Sequence, residues 1–140
     1  MAKGSGRRMT GSSEGCVFCA IIAGDTPATV IRTWPDALAL RPRHPVTDGH
    51  VLVIPYAHVR DVGQDVAVSA VTMARAAELA AGLPAANVIT SRGAAATQTV
   101  FHLHLHVIPR TLDDGLPLPW TLQHATRAAA EQEGSRPWGR

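Results

Sequence analysis

The sequence predicts a single domain that mixes strands with helices, and three observations lead to that prediction. The chain has 140 residues, which is enough for one domain with a real apolar core. Short apolar stretches bounded by proline, glycine and aspartate predict strands, whereas residues 65–81 carry apolar positions at helical spacing. Between Phe101 and Val107, histidine alternates with apolar residues three times, which is the period of a strand.

The composition limits the class of protein. Apolar residues make up 46% of the chain but aromatic residues only 4%, so we expect a core of valine, leucine, isoleucine and alanine. No apolar run approaches the roughly 18 residues of a membrane span, so we expect no membrane partner. No apolar secretory segment precedes Cys16, which favours a cytoplasmic protein.

The charge is unevenly distributed along the chain. Residues 14–120 hold seven arginines and nine acidic residues, a net charge of −2, and the positive excess lies in the two ends. Basic ends on a mildly acidic body do not make a nucleic-acid groove, so no specific nucleic-acid partner is predicted. We divide the chain into a mobile arm at residues 1–13, a folded domain at 14–120 and a partly helical tail at 121–140.

The first half of the chain predicts a short helix and a hairpin. Residues 20–23 continue a short N-terminal helix, which Gly24 ends. Val30–Trp34 and Ala37–Arg41 predict two strands joined by a tight turn at Pro35.

The second half predicts a buried strand, a long helix and two further strands. His50–Pro55 is almost continuously apolar, so we expect a central strand that is covered on both faces. The long helix covers Asp65–Ala81, Asn87–Ser91 predicts a strand before the histidine strand, and Thr121–Glu133 predicts a short C-terminal helix.

The alternating histidines form one face of their predicted strand. His102, His104 and His106 share this face, and the apolar residues between them belong to the core, namely Phe101, Leu103, Leu105 and Val107. The Cα atoms of His102 and His106 would lie about 13 Å apart on a straight strand, which is too far for one metal ion to bind all three rings. We therefore expect the three histidines to have different functions.

The only two cysteines form a C-x-x-C motif at Cys16 and Cys19. In a cytoplasmic protein this motif is more often metal-binding or redox-active than a structural disulfide. It supplies two of the four ligands that a structural zinc ion needs, and the alternative is a pair of reduced cysteines packed as small core residues.

These residues carry a resemblance to a known family. His102–Ile108 fits the pattern His-φ-His-φ-His-φ-φ, where φ is apolar, and further matches lie at Cys16–Gly24, Gly49–Pro55, His58 and Gln98. Over residues 14–110 the chain resembles the histidine-triad (HIT) nucleotide-binding proteins of bacteria, and within them the Hint-like branch.

The resemblance implies the fold and the assembly. Members of the family have an α+β fold with a five-stranded antiparallel sheet, one long helix and a short N-terminal helix. Two protomers form a homodimer with a continuous ten-stranded sheet.

The resemblance also implies an activity. Family members hydrolyse or transfer nucleoside monophosphates from nucleotide–phosphate–X substrates, as phosphoramidases or dinucleoside polyphosphate hydrolases do, so a purine nucleotide or nucleotide conjugate is the expected ligand. The middle histidine, here His104, forms a covalent nucleotidyl intermediate. The other expected catalytic residues are His102, His106 and Gln98, and the expected nucleotide- or phosphate-binding residues are His50, Ser91, Gln98, Thr99 and His106.

A structural zinc ion is implied in the same way. Some bacterial members bind zinc through the C-x-x-C motif, a histidine after the Ile-Pro strand and the first triad histidine. The corresponding ligands here are Cys16, Cys19, His58 and His102.

Two positions depart from the family pattern, and both concern substrate recognition. The family usually has an acidic residue that binds the ribose hydroxyls, whereas this chain has Pro42, beside Arg43 and His44 as possible substitutes. Ser91 stands where an asparagine is common. A second class of function also stays open, namely a nucleotide-binding or protein-interaction module with little turnover, which would form no covalent nucleotide adduct.

Overall fold

A computed structural model of the chain describes residues 13–132. Most of the predicted arm and the last residues of the tail lie outside this range. The chain divides into two compact units, one up to Arg110 and the other from Thr111 onward. The predicted domain boundaries near residues 13 and 120 therefore stay a prediction.

The first unit is built on a five-stranded antiparallel sheet, as predicted. Its strands lie in the order β1-β2-β3-β5-β4, so β3 is central. Their bounds are β1 Val30–Thr33, β2 Ala37–Leu40, β3 Val51–Pro55, β4 Ala86–Ile89 and β5 Leu105–Pro109.

Side-chain alternation along β2 gives the sheet two buried faces. All four residues of β2 are buried, and so are the last four residues of its central neighbour β3. Ala37 and Ala39 belong to one core cluster, and Leu38 and Leu40 belong to another. Helix α2, Val66–Ala80, packs on the alanine face, where its buried Ala76 is part of the core, and small residues on both sides permit this close approach.

The short N-terminal helix α1, Val17–Ala23, contributes to the leucine face of the sheet through Phe18. Gly24 ends the helix with φ +86°, and its backbone N–H donates to the carbonyls of Ala20 and Ile21. At the other end, the Cys16 side chain accepts a hydrogen bond from the backbone N–H of Cys19. The C-x-x-C motif therefore forms the first turn of α1.

The histidine strand is shorter than the sequence predicts. Strand β5 begins at Leu105, so among the three histidines only His106 lies within it. The backbone leaves the ladder at His104, because the carbonyl of His102 accepts from the His104 ring and the carbonyl of His104 accepts from the Thr90 hydroxyl. The prediction that all three rings lie on one regular strand is wrong for this reason.

The predicted apolar partners of the histidines are mostly buried. Leu103, Leu105 and Val107 are all in the core below helix α2. Phe101 is 40% exposed and lies under the Arg60 guanidinium, 5.4 Å from its ring centroid, so its predicted burial is wrong.

The second unit contains helix α3, Thr121–Gln132, which has no buried residue. The predicted helix ended at Glu133, which lies outside the described residues. Among residues 13–132, no helix is long and apolar enough to cross a membrane.

Candidate active site and metal centre

The three histidines separate into two sites. The side chain of His102 is fully buried and joins the two cysteines, whereas His104 and His106 line an open cavity. Phe18 packs between these sites, with its ring centroid 5.7 Å from that of His102 and 5.2 Å from that of His104.

Four donor atoms converge in the first site. Cys16, Cys19, His58 and His102 each offer one atom, and all four atoms lie within 4.8 Å of one another. The Nδ1 atoms of His58 and His102 are 3.2 Å apart, and the Cys19 Sγ lies 3.2 Å and 3.5 Å from them. The Cys16 Sγ lies 3.5 Å from the His102 Nδ1.

This arrangement fits a tetrahedral metal ion. With metal–ligand distances of about 2.0–2.3 Å, neighbouring donors of a tetrahedral zinc ion lie about 3.3–3.8 Å apart. The measured contacts cluster close to this range, and the two-cysteine, two-histidine set is one that zinc prefers. The residues present therefore fit the group that the sequence predicts.

The proton arrangement of His102 also suits a ligand. Its Nε2 donates to the carbonyl of Pro55 at 3.0 Å, so Nδ1 carries the electron pair that points toward the cysteines. Burial lowers the pKa of His102 to about 4, which keeps the ring neutral.

The polar contacts that Cys19 and His58 make lie within the cluster itself. Burial, with Cys16 beside it, raises the pKa of the Cys19 thiol to about 12. The Nε2 of His58 is buried and has no hydrogen-bond partner among the described residues, so the polar contacts of that ring are those made by Nδ1 within the cluster. A cation at the centre would stabilise these converging electron pairs and favour the thiolates.

The second site is a cavity of about 420 Å³ at the end of β5. Its wall contains four histidines, His44, His50, His104 and His106. Three further predicted binding residues also line it, namely Ser91, Gln98 and Thr99, and none of the lining residues is acidic.

His104 is held in one tautomer. Its Nδ1 donates to the carbonyl of His102 at 2.8 Å, so Nε2 carries the electron pair. The Thr90 hydroxyl donates to the carbonyl of His104 at 2.8 Å and fixes the backbone from the side of β4. Burial lowers the pKa of His104, which favours the neutral ring.

His106 is held in the opposite tautomer by His50. The backbone N–H of Val46 donates to the His50 Nδ1 at 3.1 Å, so the proton of His50 is on Nε2. This Nε2 donates in turn to the His106 Nδ1 at 2.9 Å, which leaves the proton of His106 on its own Nε2. His104 therefore offers an electron pair where His106 offers a proton.

Two residues predicted to contact phosphate have their polar atoms engaged by the protein. Both ring nitrogens of His50 have partners, and the residue is 6% exposed. The Gln98 amide donates to the carbonyls of Arg60 and Val100, and its oxygen accepts from the backbone of Gly93. This geometry is at odds with direct phosphate binding by either side chain, because each would first have to lose a buried hydrogen bond.

Ser91 and Thr99 are placed differently. Ser91 is half-buried and Thr99 is exposed, and both line the cavity on the side of the loop that enters the histidine segment. Their hydroxyls are neutral hydrogen-bond donors at the wall of the cavity.

An apolar groove adjoins this cavity, and it was not predicted from the sequence. The groove has a volume of about 560 Å³ and is lined by Phe18 and Ile21 of α1 and by Leu40 and Leu52 of the sheet. Pro42 lines both spaces. The position of Phe18 inside the C-x-x-C motif was the one available signal.

Comparison with known proteins identifies the family. A sequence model of the HIT domain matches residues 23–112, and the chain belongs to the HIT family. The fold, the histidine segment and the relatives all agree with this assignment.

Three related proteins illustrate the range of the family. An uncharacterized HIT-like protein of Mycobacterium tuberculosis is 42% identical over 110 residues, which cover 72% of this chain and 75% of that protein. The adenosine 5′-monophosphoramidase of Schizosaccharomyces pombe is 30% identical, with 75% of this chain and 82% of that protein covered. A crystal structure of a zinc-bound histidine triad protein from Mycobacterium smegmatis has 38% identity and a TM-score of 0.65, and the match covers 88% of this chain and 98% of that one.

Proposed function

We propose that the protein is a nucleotidyl hydrolase or transferase that cleaves nucleoside–phosphate–X substrates through a covalent nucleotidyl-His104. One observation carries the proposal. The bond from the His104 Nδ1 to the His102 carbonyl leaves the Nε2 electron pair available in a cavity whose lining has no carboxylate. A phosphate-bearing ligand can approach this nucleophile without meeting a negative charge.

The first step breaks the bond between phosphorus and X. The electron pair of the His104 Nε2 attacks the α-phosphorus as the bond to X breaks, and the neutral His106 donates an Nε2–H hydrogen bond to the departing X, which takes its proton from solvent water. The His102 carbonyl, 2.8 Å from the His104 Nδ1, stabilises the positive charge that develops on the ring. His102 thus acts in the reaction through its backbone.

The second step regenerates the protein. A water molecule attacks the phosphorus through its oxygen and releases one proton to solvent, which balances the proton taken up by X. The bond from phosphorus to His104 breaks, and the nucleoside monophosphate leaves. An alcohol or a phosphate in place of water would give transfer instead of hydrolysis.

Other residues of the cavity support this chemistry by position. His50 sets the tautomer of His106, and Gln98 holds the loop from Gly93 to Val100 in place. Ser91 and Thr99 supply hydroxyl donors for the phosphate, and the apolar groove beside Phe18 accepts the purine. The monophosphoramidase named among the relatives supports a substrate of this class.

Two further features belong to the proposal. Cys16, Cys19, His58 and His102 hold a structural zinc ion, which the donor geometry and the zinc-bound relative support. The protein forms a homodimer through β4, which is an edge strand in the described chain and lies beside apolar residues of α2.

Replacement of the nucleophile tests the proposal. We expect His104→Ala to lower turnover of adenosine 5′-phosphoramidate by about a thousandfold or more, because covalent catalysis loses its route when the nucleophile is removed. AMP binding should survive. The control is His124→Ala, which replaces an exposed histidine of α3 that lines neither space.

The outcomes separate the two classes of function. Turnover of His104→Ala within tenfold of wild type would contradict the assignment. A wild-type protein that binds AMP but turns over no phosphoramidate, dinucleoside polyphosphate or nucleotide sugar would instead be a binding module.

A further inference from the structure

Two arginines lie at the apolar groove that adjoins the histidine cavity. Arg41 and Arg43 both line it and are both exposed. No acidic residue lines the groove or the cavity. The space proposed for the nucleoside therefore carries positive charge at one part of an otherwise mostly apolar wall.

Arg41 and Arg43 differ in their ion pairing from four arginines that lie outside the groove. Arg32, Arg60, Arg75 and Arg92 each form an ion pair with Asp36, Asp61 or Glu78. Within residues 13–132, neither Arg41 nor Arg43 has a carboxylate within ion-pair distance. An exposed arginine needs no partner in water, but two such groups at the wall of one groove give it charge complementarity to an anion.

The backbone holds the two side chains in related positions. The backbone N–H of Arg41 donates to the carbonyl of Thr29 at 2.9 Å, which anchors the segment to the start of the β1–β2 hairpin. Arg41 and Arg43 flank Pro42, and all three residues line the groove. Both arginines therefore serve one space, as their shared groove shows.

The position of Pro42 indicates which part of a bound nucleotide lies beside Arg41 and Arg43. Pro42 lines both the histidine cavity and the groove, so it marks the junction between them. A nucleotide with its α-phosphate at His104 and its base beside Phe18 has its ribose at this junction. The arginines that flank Pro42 then lie on the ribose side of the substrate and away from the leaving group.

We infer that this groove binds nucleotides that carry a second phosphate on the 2′ or 3′ oxygen of the ribose, and that Arg41 and Arg43 bind that phosphate. Guanidinium groups bind phosphate through paired, charge-assisted hydrogen bonds. The hydroxyls of Thr26 and Thr29, which also line the groove, supply neutral donors. A free ribose diol would need an acceptor, and the Pro42 side chain has none. This inference rests on the proposed function for the placement of the nucleotide.

The test measures binding of three ligands that are not substrates for cleavage, so it does not depend on turnover. We would titrate the wild-type protein with adenosine 5′-monophosphate, adenosine 2′,5′-bisphosphate and adenosine 3′,5′-bisphosphate at one fixed ionic strength. We expect at least one bisphosphate to bind about tenfold or more tightly than the monophosphate. The two bisphosphates distinguish a 2′-phosphate from a 3′-phosphate.

Variants assign the effect to the arginines. Arg41→Gln and Arg43→Gln should each reduce the bisphosphate preference to within about threefold, with little change for the monophosphate. Arg32→Gln is the matched control, because Arg32 is a similarly exposed arginine of β1 that lines neither space. It should keep the wild-type preference.

Two results would overturn the inference. One is equal affinity of the wild type for all three ligands, and the other is a bisphosphate preference that survives both arginine substitutions. Failure of the proposed function has a different signature, namely the absence of phosphoramidate turnover, and either failure can occur without the other.

Discussion

His104 and His106 differ in which nitrogen carries the proton, and hydrogen bonds from the backbone determine this difference. The His102 carbonyl fixes one ring, and the backbone of Val46 fixes the other through His50. An uncharged imidazole has one donor and one acceptor, so fixing one nitrogen defines the other. A single protein carbonyl and a single backbone N–H thus leave one ring with a free electron pair and the other with a free N–H donor.

We predict that His50→Ala lowers kcat by about tenfold or more with little change in KM, because the Nε2–H of His106 that donates to the leaving group is no longer fixed in that tautomer. The amide of His50→Gln can donate from nearly the same position, so this variant should recover part of the loss. Steady-state kinetics of both variants on adenosine 5′-phosphoramidate tests this prediction. A rise in KM alone, with kcat unchanged, would show that His50 contacts the substrate directly.

Burial of the cavity histidines makes stability depend on pH. Burial, with His104 and His50 nearby, lowers the pKa of His106 from 6.5 to about 4. Between these values the unfolded chain binds a proton that the folded chain does not, so the free energy of unfolding falls as the pH falls through this window. The contribution is fully present above pH 6.5 and is lost by about pH 4.

We therefore predict that the melting temperature of His106→Asn falls less than that of wild type between pH 7 and pH 5. The two proteins share all other titrating groups, including the four metal-cluster residues, so the comparison isolates His106. Differential scanning calorimetry at several pH values measures it. Parallel curves for the two proteins would show that His106 does not contribute in this way.

The residue chemistry of the site was partly predictable from the sequence. The C-x-x-C motif, His58 and His102 were predicted to meet, and the structure brings their donor atoms together, whereas the role of His104 as nucleophile stays a prediction. The engagement of His50 and Gln98 by the backbone was not predictable, because it depends on Val46, Arg60 and Gly93, which come close only in the folded chain. Among residues 13–132, Arg41 and Arg43 have no carboxylate within ion-pair distance. This too was not predictable, because it depends on where the carboxylates lie in the folded chain.

At the level of elements, helix α1 contacts the rest of the first unit through apolar side chains and through the cluster of two cysteines and two histidines. The helix has seven residues, which is too short to be stable alone in water. Cys16 caps its first turn, and Cys19 and Phe18 are the buried residues within it. Both cysteines meet histidines from other segments, so a bound ion would attach this helix to the sheet.

We predict that the protein as isolated contains one zinc ion per protomer and that its removal lowers the melting temperature by about 10 °C or more. Elemental analysis and thermal unfolding with and without a chelator measure these quantities. Cys19→Ser should reproduce the chelated state, whereas chelator should have no further effect on this variant. Metal-free protein with the same melting temperature as the isolated protein would contradict the assignment.

For strand β5, the alternation of histidine and apolar residues predicted a start that is too early. Alternation correctly predicted that Leu103, Leu105 and Val107 are buried, but it extended the strand to Phe101. At His102 and His104 the backbone carbonyl groups bond to a ring nitrogen and a hydroxyl instead of a neighbouring strand. Such side-chain competition for backbone groups has no signature in a pattern of apolar residues.

At the level of the whole molecule, the sheet has two edges with exposed apolar residues. Val30 and Ile31 of β1 are each 47% exposed, and at the β4 edge Val66 and Met73 of α2 are 77% and 45% exposed. The β4 edge adjoins an apolar groove of about 430 Å³, to which Val88 of β4 contributes. Such a surface beside an unpaired strand suits a second copy of the chain.

We predict that the protein is a dimer and that Met73→Glu makes it monomeric, because a buried charge at the interface has no partner. Sedimentation velocity at several concentrations measures the assembly. Ile31→Glu is the matched control at the opposite edge and should remain dimeric. The reverse pattern would place the interface at β1.

The fold itself was predictable to a large extent, because β2 and β3 are continuous apolar stretches and α2 has a clear helical period. The five-stranded antiparallel sheet was expected from the resemblance to the family, but its strand order was not predicted, since pairing between β3 and β5 joins segments about 50 residues apart, beyond the reach of local patterns. The predicted boundaries at both ends of the folded domain lie in segments with little apolar content. Such segments have no apolar pattern that marks where the fold begins or ends.

The central claim is the covalent nucleotide on His104, and a rapid-quench experiment tests it most directly. Wild-type protein would be mixed with radiolabelled adenosine 5′-phosphoramidate, stopped within one turnover, digested and analysed by mass spectrometry. We expect AMP attached to His104, formed and lost at rates that account for turnover, and no label in His104→Ala. Turnover with no covalent nucleotide, or with the nucleotide on another residue, would contradict the account.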